Sequence, residues 1–117
     1  MFHYKNRIVF TGGTGRFANS FKAQESNSNF KFFFPKKTEL NILNVNLIKK
    51  YLTKVKPKYL IHLAGLSRPM SIHNKDIVQS IDKNIIGTAN VTKVCSKFNI
   101  KLIYVSTCYV YPGFKGN

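Results

Sequence analysis

A short apolar run, Ile8-Val9-Phe10, passes directly into Thr11-Gly12-Gly13-Thr14-Gly15-Arg16-Phe17-Ala18. The run reads as a buried strand over residues 7–11, and the chain after it reads as a helix over residues 14–24. Few chain paths allow such a joint. Gly12 permits a tight turn, Gly15 lets backbone approach a ligand with no Cβ in the way, and Ala18 is small where the helix packs on the strand. The new helix turns its free N–H groups and about half a positive charge toward the joint, which therefore suits an anion. This glycine spacing suits a dinucleotide pyrophosphate in particular. An ordinary glycine turn has the same look, so the rest of the chain must decide.

Further along, strand and helix alternate. Glu25–Asn29 is a polar loop, and Phe30-Lys31-Phe32-Phe33-Phe34 is a second strand stopped by Pro35. Leu47, Ile48, Tyr51, Leu52 and Val55 recur at helical spacing, which predicts an amphipathic helix over 45–55, capped by Asn44 and ended by Lys56-Pro57. Tyr59–Ala64 is a third strand. Ile77, Ile81, Ile85 and Ala89 mark one face of a long helix over about 75–98, and Leu102–Val105 is a fourth strand. Strands that are almost continuously apolar belong in a parallel sheet covered on both faces. The expected fold class is α/β: the first half of a Rossmann-type doubly wound sheet, with spatial strand order 3-2-1-4. In such sheets ligands bind at the carboxyl ends of the strands, here expected near a switch between strands 1 and 4. The glycine turn, Ala64-Gly65 and Ser106-Thr107 all fall at carboxyl ends.

Length and composition narrow the function classes. At 117 residues a single domain is expected, and 44 % hydrophobic residues suit a globular chain. No apolar run reaches the ~20 residues of a membrane span, and the first residues lack a secretory leader, so a cytoplasmic location is the default expectation. Cys95 and Cys108 are the only cysteines and are read as free thiols. The net charge of +15 admits nucleic-acid contact. The lysines are scattered through every segment, however, so general compositional drift with an anionic small ligand is the stronger reading. His3, His62 and His73 have no metal-ligand spacing.

Four segments together resemble an extended short-chain dehydrogenase/reductase of the NAD-dependent epimerase/dehydratase family. Thr11–Ala18 is similar to the TGxxGxxG turn, with Ala18 in place of the last glycine. His62-Leu63-Ala64-Gly65 resembles the strand end that lies along the cofactor. Asn84-Ile85-Ile86-Gly87-Thr88 resembles the NxxGT segment beside the active site. Tyr104–Tyr111 resembles the strand that delivers a catalytic Ser or Thr before a Val-Tyr pair. Within the family, Glu39–Asn44 and Tyr111-Pro112 are similar to GDP-fucose synthases. Ser106–Tyr111 with Gly113 and Lys115-Gly116 is similar to dTDP-4-dehydrorhamnose reductases, whose usual acidic residue would fall at Cys108.

The resemblance implies an NAD(P)-dependent reductase, epimerase or dehydratase acting on a nucleotide-activated sugar. It implies Thr107 as the catalytic hydroxyl, with Ser106 as the lesser candidate. It implies cofactor contacts from Thr11, Gly12, Gly15, Arg16, Phe17, Lys36, Asn41, Ala64, Gly65 and Asn84. The family's second strand ends in an acid when NAD is preferred; Pro35-Lys36-Lys37 stands here instead. A basic residue at that point, or Arg16, suits a 2′-phosphate and favours NADP over NAD. Asn41 or Asn44 would meet the adenine.

The family also uses a Tyr-x-x-x-Lys pair. Tyr111 and Lys115 have that spacing, but Pro112 and Gly113 between them break the helix the pair needs. Residues 1–117 are therefore expected to be the amino-terminal, cofactor-binding part of such an enzyme, inactive alone, with the Tyr-x-x-x-Lys helix and the substrate-binding part beyond Asn117. Two other readings stay open: a non-catalytic nucleotide-binding Rossmann module, and a basic nucleic-acid-binding protein. A homodimer is also left open, and no membrane partner is expected.

Overall fold

Four parallel strands form one sheet in the computed structural model, which describes residues 6–24, 29–67 and 69–106. β1 (Asn6–Thr11) has pairing partners on both edges, and its Val9 and Phe10 are completely buried. β2 (Phe30–Phe33) lies on one side, with Asn6 opposite Phe30 and Val9 opposite Phe33. β3 (Tyr59–His62) lies on the other, with Ile8 opposite Tyr59 and Thr11 opposite His62. β4 (Lys101–Tyr104) pairs with the far edge of β3, with His62 opposite Tyr104.

The strand order is therefore β2-β1-β3-β4, and the expected order 3-2-1-4 is wrong. The α/β doubly wound class stands. Residues 34–58 between β2 and β3 include an eleven-residue helix, enough chain to cross back over β1 to its free edge. The switch in direction, where ligands collect in such sheets, consequently lies between β1 and β3 rather than between strands 1 and 4.

Alternation along β1 divides the core. Phe10 faces α1 (Arg16–Gln24), where it meets Phe21 at 5.1 Å, Phe32 at 6.0 Å and Phe34 at 4.8 Å between ring centroids. Val9 faces the other way, into a cluster with Leu60, with Ile48, Leu52 and Val55 of α2 (Val45–Val55), and with Val91, Val94 and Cys95. Asn44 caps α2 as expected, its side chain accepting from the Leu47 N–H at 3.1 Å. Lys56 then leaves the helix at φ 50°, and Arg7 donates to the Val55 carbonyl.

The long helix expected over 75–98 is broken. A short helix, α3 (Met70–Lys75), precedes it; α4 (Ile77–Ile81) begins after Asp76, whose carboxylate caps the Gln79 N–H at 2.9 Å. A π-turn (Asp82–Ile86) then leads into α5 (Gly87–Lys97). The apolar stripe Ile77, Ile81, Ile85, Ala89 faces solvent, not the core. A second stripe is buried instead: Gly87 against the loop at Ile42, and Val91, Val94 and Cys95 in the cluster with Val9 and Leu60 of the sheet. A segment apolar on both sides offers two equally periodic faces, and periodicity alone does not choose between them. Among the described residues, no helix is long and apolar enough to cross a membrane.

Candidate functional site

The joint after β1 is built as its sequence suggests, with one addition. Gly12 has φ +70°, and its carbonyl accepts from the Gly15 N–H at 2.9 Å, closing the turn. Ala18 is fully buried where α1 meets the sheet. Nothing in the glycine spacing marks Gly13, yet it is the tightest of the three. A Cβ there would lie 2.7 Å from the Phe34 backbone carbonyl carbon, so the turn sits directly on the end of β2. Lys22 fastens this contact. Its ammonium donates to the Gly13 carbonyl at 2.8 Å and lies 4.5 Å from the centre of the Phe34 ring.

A cavity of about 570 Å³ opens along the carboxyl ends of β2, β1 and β3. The glycine turn and the first turn of α1, Gly12 to Ala18, form its middle. Pro35 and Lys37 wall it beyond β2, Leu40–Leu43 cross over it, and Leu63–Gly65, Ser67 and Lys83 wall it beyond β3. Of the residues expected to touch a cofactor, Gly12, Gly15, Arg16, Phe17, Asn41, Ala64 and Gly65 line this cavity. Asn41 turns its side-chain oxygen to the Leu43 N–H at 3.0 Å.

Thr11, Lys36 and Asn84 do not line it. Lys36 gives its backbone N–H to the Glu39 carboxylate at 2.8 Å, while the next residue, Lys37, faces the cavity. Thr11 is buried, and its hydroxyl oxygen accepts from the Leu63 and Ala64 N–H groups, each at 3.1 Å. Both lone pairs are thereby used, so the hydroxyl proton points to His62 Nδ1 at 2.6 Å. His62 then carries its proton on Nε2 and donates it to Thr88 Oγ1 at 3.0 Å. This buried chain ties the ends of β1 and β3 to α5. Burial holds the His62 pKa below its ordinary 6.5, keeping the ring neutral.

Asn84 sits in the π-turn and clamps one residue of the loop after β3. Its Oδ1 accepts from the Leu66 N–H at 2.7 Å, and its Nδ2 donates to the Leu66 carbonyl at 2.9 Å. A Cβ on Gly65 would lie 2.9 Å from Asn84 Oδ1, so only glycine passes this close. Asn84 shapes the cavity wall through Leu66. Gly87 lets α5 approach the loop over the cavity, where a Cβ would meet Ile42 Cδ1 at 2.5 Å and where Asn90 donates to the Ile42 carbonyl.

Thr107 and Cys108 lie outside the described residues, as does Tyr111–Lys115; Ser106 is exposed just beyond β4. Cys95 is free and buried among apolar side chains, which push its pKa up to about 11. Among the described residues no group of His, Cys, Asp or Glu could hold a metal ion.

The model of a family described as the RmlD substrate binding domain matches residues 6–117. The chain belongs to that family. It is of the short-chain dehydrogenase/reductase and epimerase type that the four sequence segments resemble. Methionine adenosyltransferase 2 subunit beta of Xenopus laevis is 29 % identical over 114 residues, covering 92 % of this chain and 34 % of the relative. GDP-L-colitose synthase of Yersinia pseudotuberculosis is 26 % identical over 107 residues, covering 91 % and 35 %. The chain thus spans about a third of the length of the curated relatives it matches. Among solved structures, dTDP-4-dehydrorhamnose reductase of Bacillus anthracis, in complex with NADP, superimposes with a TM-score of 0.87 at 23 % identity. The match covers 98 % of this chain and 41 % of that one. A GDP-L-fucose synthetase of Naegleria fowleri bound to NADP gives 0.76 at 22 % identity, covering 100 % and 38 %. At these identities the superpositions establish the fold.

Proposed function

We propose that this chain is the cofactor-binding part of an NAD(P)-dependent reductase acting on a nucleotide-activated sugar, and that it takes NADP. One observation carries the reading. The cavity across the β2, β1 and β3 ends is centred on the glycine turn, carries Arg16 at the first turn of α1 and Lys37 beyond β2, and has no acidic residue among the described residues that line it. The turn gives a pyrophosphate close backbone approach and the N-terminus of α1. Arg16 and Lys37 suit a 2′-phosphate, and the nearby Glu39 carboxylate is turned to the Lys36 N–H and does not line the cavity. The matched relatives include a dTDP-4-dehydrorhamnose reductase and a GDP-L-fucose synthetase solved with NADP, which supports the same cofactor here.

When bound, the cofactor supplies the hydride. The chain's own residues would bind and orient it: the turn would seat the phosphates, the Leu40–Leu43 loop would stand over the adenosine half, and Ala64-Gly65 would line the side toward the other half. Thr107, in the segment after β4, is the group assigned to hydrogen-bond the sugar oxygen that gains charge. In the complete enzyme, Thr107→Ala should lower kcat by about 10²-fold or more.

Titration calorimetry with NADPH and NADH tests the cofactor reading. NADPH should bind more tightly, and Arg16→Ala with Lys37→Ala should narrow the difference. Gly15→Val should abolish binding of both. A Cβ at Gly15 already lies 3.2 Å from the Gly12 carbonyl oxygen, and the added methyls would project where phosphate sits. Equal affinity of the wild type and Gly15→Val would overturn the assignment.

A second reading has its own support. The match to a protein named as a subunit of methionine adenosyltransferase favours a nucleotide-binding module that assembles with another enzyme. It predicts dinucleotide binding with no reductase activity on any 4-keto sugar nucleotide, even in the full-length protein.

A further inference from the structure

Lys83 is a cation in the cavity wall that neither the glycine turn nor the β2 end accounts for. It is half-buried in the π-turn and lines the cavity beside Gly65 and Ser67, on the β3 side. Lys37 stands beyond β2 and Arg16 at the first turn of α1, with β1 and the glycine turn between Lys37 and Lys83. Among the described residues Lys83 has no hydrogen-bond or ion-pair partner. Its position is nevertheless fixed: the adjacent Asn84 holds both the N–H and the carbonyl of Leu66, so the π-turn is pinned to the loop after β3. A long, flexible cation held half-buried with no pairing partner among the described residues is in place to meet an anion or hydroxyl of a ligand.

We propose that Lys83 binds the far half of the dinucleotide, the half not held by Arg16 and Lys37, through the distal phosphate or ribose of the cofactor. This rests on the cofactor reading above and adds a residue to it. A ligand laid along the cavity has its adenosine phosphate over the β2 end and its pyrophosphate at the turn. Its remaining ribose then lies over Ala64-Gly65, next to Lys83. A ligand that ends at the turn, such as adenosine 2′,5′-bisphosphate with its single 5′-phosphate there, does not reach that residue.

The test compares two probes, NADP⁺ and adenosine 2′,5′-bisphosphate, by titration calorimetry on the chain and on Lys83→Met, Lys83→Arg and Lys93→Met. Lys93 lies on the exposed side of α5 and controls for loss of one charge from a strongly basic protein. Lys83→Met should weaken NADP⁺ by about tenfold, as expected for one charge-assisted hydrogen bond, and leave the bisphosphate unchanged. Lys83→Arg should restore most of the loss, and Lys93→Met should change neither probe. Equal loss for both probes, an equal loss in Lys93→Met, or no loss in Lys83→Met would each overturn the proposal while leaving the cofactor reading intact. Binding of neither probe by the wild type would overturn both.

Discussion

At the scale of single residues, Thr11 shows how a motif position can act without meeting a ligand. Its hydroxyl takes two backbone N–H groups at the end of β3 and orients the buried His62. Thr11→Val keeps the shape but leaves two donors unsatisfied, which should cost about 1–3 kcal/mol for each one that finds no water. His62 makes the stability of the fold depend on pH. Its folded pKa lies below the unfolded value of 6.5, so the unfolded chain takes up a proton that the folded chain resists. The stabilisation is complete above 6.5 and is lost as pH falls through the depressed folded value. Urea denaturation across a pH series should show stability falling on the acid side of 6.5. His62→Gln should flatten that slope.

At the scale of elements, the π-turn and the caps decide where the cavity walls stand. The helix leading into α5 widens by one residue at Asp82–Ile86, a distortion often found at functional sites, and there Asn84 reaches across to Leu66. Asn84→Leu should release the loop after β3. Hydrogen exchange at the Leu66 amide should rise toward that of an unprotected loop, while the amides of β1 keep their protection. Asn44→Ala should behave differently, because the cap it removes is exposed and local. A loss of about 1 kcal/mol in unfolding free energy, with unchanged cofactor binding, is expected. If Asn84→Leu left the Leu66 amide protected, the clamp would not be what holds that wall.

At the scale of the whole molecule, charge and exposed apolar surface oppose each other. Ile77, Val78, Ile85 and Met70 are each at least 60 % exposed, and Ile103, Tyr104 and Val105 on or next to the outer strand β4 are about half exposed. Among the described residues no strand pairs with the outer edge of β4, and an open edge beside apolar side chains is a template for pairing with another chain. A net charge of +15 keeps copies apart at low ionic strength, and salt removes that protection over about 10 Å at 0.1 M. Light scattering should show association increasing with salt. Ile77→Lys with Ile85→Lys should reduce it if the helical face is responsible, and Ile103→Lys if the strand edge is. A protein that stays monomeric at high salt would show that both surfaces are harmless in solution.

The sequence by itself determined what short-range rules govern. The strand-turn-helix joint at Thr11–Ala18, the cap at Asn44, the end of α2 at Lys56-Pro57 and the four strand positions depend on neighbours within a few residues, and all were legible. Most of the cavity lining was legible too, because carboxyl ends of parallel strands collect ligands wherever the strands lie. Strand order was not: either edge of β1 satisfies the same apolar residues, and the length of the link over residues 34–58 permits both. Nor was the buried side of residues 77–97, since both faces are apolar and only contact with the sheet selects Val91, Val94 and Cys95. The roles of Thr11 and Asn84 followed the same rule. Their partners Leu63, Ala64, His62 and Leu66 lie 18 to 53 residues away, and only the packed fold brings those donors and acceptors within reach.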